Sequence, residues 1–177
     1  MIFGFCAILT SKNMLERLLS AIVVGIGLAS SAASEPDLRI GNATIIPPAG
    51  WQLVKKTEEK LVLRAADGKQ QATITLMRLE ADPTSEQFEQ ICKHRYEAEK
   101  RDAPDITIEP SPPHPSRDGA TFFMIYSGSE KRNGRVFSGY LSLANRELIT
   151  IYVEGISVTA KVHSDAFQAF VGGLKRK

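Results

Sequence analysis

Three histidines, Cys92 and a scatter of serines and carboxylates are the side chains of this sequence that could do chemistry. Metal capture needs His or Cys at short helical or turn spacings. His94, His114 and His163 lie far apart, and none has an i, i+4 or CxxC-type neighbour. A nucleophilic serine would announce itself by a Gly-x-Ser-x-Gly elbow, and a zinc hydrolase by HExxH; neither occurs. Paired-carboxylate catalysis needs two acids in one cleft. Glu58-Glu59 falls on a turn and Glu154 after a strand, where solvated surface charge is the ordinary state. Asp67-Gly68-Lys69 lacks the further acids of a calcium loop. Cys92 sits on the apolar face of a helix, without the electropositive setting of a reactive thiol. His163 falls on the inner stripe of another helix and reads as a hydrogen-bonded structural residue. The expectation is therefore a protein that is not an enzyme, with no catalytic residue, no metal ligand and no cofactor.

Two stretches read instead as binding surfaces. Lys131-Arg132-Asn133-Gly134-Arg135 places three positive charges on a hairpin tip that must project, suited to an acidic partner patch or an anionic headgroup. Pro110-Ser111-Pro112-Pro113-His114-Pro115 is pre-extended and loses little entropy on docking. The candidate partner-binding residues are thus Lys131, Arg132, Asn133, Arg135, Pro112, Pro113 and His114.

The elements that must position these residues follow from hydrophobic period. Thr121–Ser127, Val136–Leu143 and Leu148–Val153 are apolar runs with short polar joins, so Gly119–Gly155 reads as a three-stranded antiparallel meander in the middle of a sheet. Phe122–Tyr126 and Leu148–Val153 are apolar at both parities, which predicts strands covered on both faces. Upstream, Asp37–Ile46 reads as one short strand stopped by Pro47-Pro48, and Trp51–Lys55, Leu61–Ala65 and Gln71–Leu79 as three more. At Asp82-Pro83-Thr84 the period changes. Thr84-x-x-Gln87 fits a capping box, and Phe88, Ile91, Cys92 and Tyr96 give a helical stripe ending before Pro104. Ile106 and Ile108 suggest a brief strand before the exposed proline loop. A last helix, capped by Ser157 or Thr159, buries His163, Ala166, Phe167, Phe170, Val171 and Leu174, with Lys175-Arg176-Lys177 closing it favourably for its dipole. Two helices for two apolar sheet faces predict an α+β fold, an antiparallel sheet with one helix on each face in a three-layer α/β/α sandwich.

Length and composition agree with one domain: 177 residues, 43% hydrophobic and 24% charged. Arg17, the apolar Leu18–Leu28 and the small Ala29–Ser34 are the parts of a secretory signal peptide. That core is about a dozen residues against the roughly 20 a spanning helix needs, so residues 1–34 read as a cleaved signal and 35–177 as the single mature domain. Ile2, Phe3, Phe5 and Ile8 precede the basic residues, which favours Met14 as the true start. Removing the segment takes out Lys12, Arg17 and Glu16, leaving a net charge near +1 and no electrostatic case for nucleic acid. It also takes out Cys6, so Cys92 has no internal disulfide partner. The expectation is a periplasmic or secreted protein with no stable membrane span after signal cleavage.

Pro47-x-x-Gly50-Trp51 opening paired strands, a middle helix, a meander ending in Tyr152-Val153-Glu154-Gly155 and a closing helix ending Leu174-Lys175 resemble the PsbP-like fold, over roughly residues 43–176. That superfamily includes DcrB-like bacterial envelope proteins, the extrinsic PsbP subunit of photosystem II and a Ran-binding nuclear protein. The resemblance implies an α/β/α sandwich and a non-enzymatic docking or accessory role, and brings no catalytic residues with it. Many envelope members are lipoproteins, whereas no lipid-attachment cysteine stands at the end of this signal. The leading expectation is an exported protein-interaction module that binds another envelope protein, as an accessory subunit or an immunity-type protein. The alternatives are a small-ligand or lipid-binding periplasmic domain, with an apolar cavity beside Phe88, Phe122 or Phe167, and an enzyme with a dispersed site gathering Glu58, Glu154 or a histidine.

Overall fold

The computed structural model describes residues 38–103, 105–115 and 122–176; the signal segment, Met14 and Cys6 lie outside the described residues. The first two strands are β1 (Leu38–Ile40) and β2 (Ala43–Ile45). An antiparallel run follows: β3 (Trp51–Lys56), β4 (Lys60–Ala65) and β5 (Gln70–Arg78). After α1 (Ser85–Asp102) come β6 (Ile106–Pro110), β7 (His114–Pro115), β8 (Phe122–Glu130), β9 (Arg135–Ala144) and β10 (Glu147–Ile156). The chain then forms α2 (Ala160–Gly173) and β11 (Leu174–Arg176). The main sheet has the order β3-β4-β5-β10-β9-β8-β6, with β7 on β8; a small sheet is ordered β1-β2-β11. Every pairing is antiparallel. Among the described residues the fold is α+β, mostly antiparallel sheet with two helices.

The meander expected at the centre is there, and its last strand pairs back onto β5, from Glu147 opposite Arg78 to Gly155 opposite Gln70. β10 is buried along nearly its whole length. Its side chains divide by parity. Ile149, Ile151 and Val153 join a core with Leu61, Leu63, Ile74 and the α2 residues Phe167 and Phe170, to which the small sheet adds Leu38, Ile40 and Ile45. Leu148 and Tyr152 join a second core with Met124, Tyr126, Phe137, Leu141 and the α1 residues Phe88 and Cys92. Cys92 is fully buried, and burial, with Glu89 nearby, pushes its thiol up to about 12. It is a core residue.

Local chemistry sets the ends of the elements. Thr84 closes the capping box of α1: the Gln87 N–H donates to Thr84 Oγ1 at 3.3 Å, and Gln87 Oε1 accepts from the Thr84 N–H at 2.8 Å. Thr159 caps α2 by accepting from the Val162 N–H at 3.3 Å. The β9–β10 turn places Asn145 and Arg146 at φ 52° and 60°. Neither is glycine, and the cost is offset from the β5 end: Arg146 N–H donates to Asp82 Oδ1 at 3.0 Å, and Arg146 O accepts from Leu79 N–H at 2.8 Å.

Four expectations are corrected. Asp37–Ile46 is not one strand but the hairpin β1–β2, because Gly41-Asn42 turns the chain and the Asn42 N–H donates to the buried Glu147 carboxylate at 3.0 Å. The closing helix stops at Gly173, whose carbonyl accepts from Ile46 N–H at 3.0 Å. Leu174–Arg176 is therefore a strand, and Arg176 donates to the carbonyls of Ser142, Ala144 and Glu147 rather than closing a helix dipole. The proline stretch is no free loop: Pro110 ends β6, and His114-Pro115 pairs with Phe123-Phe122. β8 is covered on one face only, with Met124 and Tyr126 buried and Ile125 36% exposed, because α2 packs chiefly on β10 and β9.

Close packing across β8–β9 depends on two missing side chains, at Gly128 opposite Phe137 and at Gly139. Tyr126 stands opposite Gly139, and a Cβ there would meet the Tyr126 ring. Gly139→Ala is expected to destabilise the domain by about 3 kcal/mol through overpacking, measured by urea denaturation.

Candidate functional site

The two stretches singled out as binding surfaces stand at opposite ends of β8. His114 pairs with Phe123 and the basic turn follows Glu130, so about 23 Å of strand separates them at about 3.3 Å per residue. The structure does not bring them together. Lys131, Arg132 and Asn133 are exposed in a four-residue turn, with Asn133 Oδ1 accepting from the Arg135 N–H at 2.9 Å.

Arg135 belongs to the interior instead, and this corrects the reading of three free charges on the tip. Its side chain is 20% exposed and sits among three carboxylates: Glu154 at 3.0 Å, Glu99 at 3.4 Å and Glu130 at 3.9 Å. It also donates to the Tyr152 hydroxyl, which in turn donates to Glu99 at 3.4 Å, and its guanidinium lies 5.1 Å from the centre of the Phe137 ring. Burial, with Glu99 nearby, holds the Tyr152 hydroxyl far above the usual tyrosine range. Burial alone would lower the pKa of Arg135, but Tyr152, Glu154 and Glu99 together raise it. Arg95 pairs with Glu99 at 3.7 Å from the same helix. The cluster ties α1 to three strands.

At the other end, Ser111 extends the β6 pairing: its N–H donates to Ile125 O at 2.7 Å and its Oγ accepts from Ile125 N–H at 3.1 Å. Pro112 is exposed, Pro113 half-buried and His114 exposed. His114, Phe123 and Tyr140 then form a row across three strands, with ring centres 5.4 and 5.9 Å apart. Ile125 is the register partner of Tyr140. Phe123 and Ile125 lie on the open face of β8, and Tyr140 at its margin packs against the core that holds Phe167 and Phe170. Sequence reasoning missed Phe123, Ile125 and Tyr140 because it had both faces of β8 covered. The available signal was that Ser127 and Ser129 share the parity of Phe123 and Ile125, which marks that face as partly solvated.

Next to the row, a groove of about 330 Å³ opens between β6, β8, β9 and the first turns of α2. Its lining includes Ser127, Ser129, Glu109, Ser138 and His163. His163 Nε2 lies 3.0 Å from Ser138 Oγ, both buried, as expected for a hydrogen-bonded structural histidine. A serine–histidine catalytic pair needs a further acid to orient the imidazole, and Nδ1 of His163 has no hydrogen-bond partner among the described residues. The acids named for a dispersed site are not gathered here: Glu58 pairs with Arg78 at 3.3 Å on the surface, and Glu154 with Arg135. Among the described residues, no group of three His, Cys, Asp or Glu side chains could hold a metal ion.

Comparison with solved structures yields the cyanobacterial PsbP protein CyanoP of Synechocystis, at a TM-score of 0.59 and 13% identity, covering 77% of this chain and 87% of that one. LpqN of Mycobacterium tuberculosis, described as involved in cell envelope biogenesis, aligns at a TM-score of 0.49 and 12% identity over 81% of this chain and 86% of that one. A Bacteroides thetaiotaomicron protein aligns at 0.47 and 8% identity over 77% of this chain and 45% of its own. No protein-family model matches the sequence, and no curated protein matches it.

Two predictions follow from the geometry of the charged cluster and of His163. Arg135→Gln leaves three carboxylates facing one another and is expected to cost about 2–3 kcal/mol, whereas Lys131→Glu with Arg132→Glu shifts stability by less than about 0.5 kcal/mol; urea denaturation separates the two. Burial holds His163 below the usual histidine range, so the unfolded chain takes up its proton first. Its contribution is present above the unfolded value of about 6.5 and is lost as pH falls from there through the lower folded value. Thermal melts are expected to show Tm falling over that window, with a shallower slope in His163→Gln.

Proposed function

We propose that this chain, which has the PsbP-like fold, is an exported, non-catalytic module that docks another envelope protein. The observation that carries this reading is the open face of β8: His114, Phe123, Ile125 and Tyr140 form a contiguous row on a rigid sheet, flanked by Pro112 and Pro113. Aromatic anchors held in fixed rotamers lose little entropy on binding and dominate protein interfaces. The partition of β10 side chains between two cores, one containing α1 residues and the other α2 residues, supports a three-layer sandwich with one helix over each face of the sheet. In that arrangement the outer part of the sheet on the α2 side is left for a partner. Export is supported by the Arg17, Leu18–Leu28 and Ala32-Ala33-Ser34 pattern. Among the described residues, no helix is long and apolar enough to cross a membrane. The basic tip, Lys131 and Arg132, lies outside this surface, at the other end of β8.

The test is crosslinking of the tagged mature chain in its native cell envelope, followed by affinity measurement with the protein recovered. Ile125→Glu, at an exposed position, is expected to weaken capture at least about tenfold while its melting curve is unchanged. Undiminished capture by a folded Ile125→Glu variant overturns the assignment of the surface.

A further inference from the structure

The opposite side of the sheet holds a second opening, unrelated to the docking face. α1 packs chiefly on β6 and β8, and Met77 of β5 lies exposed to one side of it. Between them lies a groove of about 400 Å³. Its floor is a cross-strand row: Leu148 of β10 pairs with Met77 of β5, and Thr150 pairs with Thr75 on one side and Leu141 on the other. Its wall is the Ile91–Ala98 edge of α1. Met77 is 55% exposed, a flexible apolar side chain left in water at the mouth.

The charge of the groove is one-sided. The ionisable side chains lining it are His94 and Arg95, with no carboxylate among the lining residues. Arg95 pairs with Glu99 at 3.7 Å and its guanidinium lies 5.8 Å from the centre of the Tyr152 ring, yet its side chain stays 45% exposed at the groove. A guanidinium presents paired donors that match a carboxylate. Apolar walls with a cationic edge are complementary to a molecule that is apolar along its length and anionic at one end. The volume lies near the lower end of the range for ligand pockets, which suits a single aliphatic chain and excludes the two chains of a phospholipid.

We propose that this groove binds a free medium-chain fatty acid, its chain along Met77, Ile91 and Leu148 and its carboxylate against Arg95 and His94. The site rests on none of the residues of the docking face.

Laurate titrated into the mature protein by calorimetry is the test, below the concentration at which laurate forms micelles. Saturable one-to-one binding is expected, about tenfold weaker in Arg95→Gln and lost in Met77→Glu. Ile125→Glu retains it, which separates this site from the docking surface. Dodecanol, with the same chain and no charge, is expected to bind at least about tenfold more weakly than laurate. Equal binding of dodecanol and laurate overturns the assignment of the charged end. Binding that is absent for monomeric laurate but present for anionic phospholipid vesicles overturns the proposal in favour of a membrane surface. Unchanged laurate binding in a folded Met77→Glu protein overturns the site itself.

Discussion

β10 has no face that water can accept. Leu148, Ile149, Ile151, Tyr152 and Val153 are all buried, and successive side chains of a strand point to opposite sides of a sheet. One strand therefore requires two cores. It must also lie between two other strands, since its backbone groups need partners on both edges; β5 and β9 supply them. The remaining architecture follows from that demand. The early hairpins and the late meander meet at β10, α2 and the small sheet contribute to one core, and α1 contributes to the other.

Hydrophobic burial is non-directional and does not by itself hold a helix in one register over a sheet. Two arginines supply the direction. Arg135 engages Glu99 of α1 together with Glu130, Glu154 and Tyr152 of the meander, so the helix is referenced to all three meander strands. Arg176 does the same for the small sheet by donating to carbonyls at the β9–β10 turn, beside the Glu147 that accepts from Asn42. Both guanidiniums are largely removed from water and donate to several acceptors, the condition under which a buried charge is tolerated, although Arg176 Nε itself has no partner among the described residues.

The open surfaces have a geometric origin. Seven strands at about 4.8 Å spacing make a sheet about 29 Å wide, whereas a helix covers about 10 Å. A helix packed on such a sheet leaves strips of it beyond its reach. Phe123 and Ile125 lie on one such strip, and Met77 on another. Where β3 forms the outer edge the chain is polar or lysine-bearing apart from Trp51, Leu53 and Val54, and a bulge between Leu53 and Lys55 interrupts its pairing, which protects the edge from further strand addition.

Period and capping chemistry were sufficient, from the residues alone, for the number and type of the long elements. The capping box at Thr84 and Gln87, the helical stripe of Phe88 and Cys92 and the two-sided burial of β10 depend on neighbours within a few residues. The PsbP-like order of elements was legible for the same reason. The short elements were not, because β7 and β11 have three residues or fewer and exist only where a distant strand offers an edge. The binding surfaces were least legible. Arg135 reads as the third charge of an exposed tip until Glu99, far away in sequence on α1, closes over it. Phe123 and Ile125 read as core until the limited reach of α2 leaves them uncovered. Sequence determined which segments must bury themselves; which face stays open was decided only by tertiary packing, because coverage depends on where a helix lands and not on the residues it fails to cover.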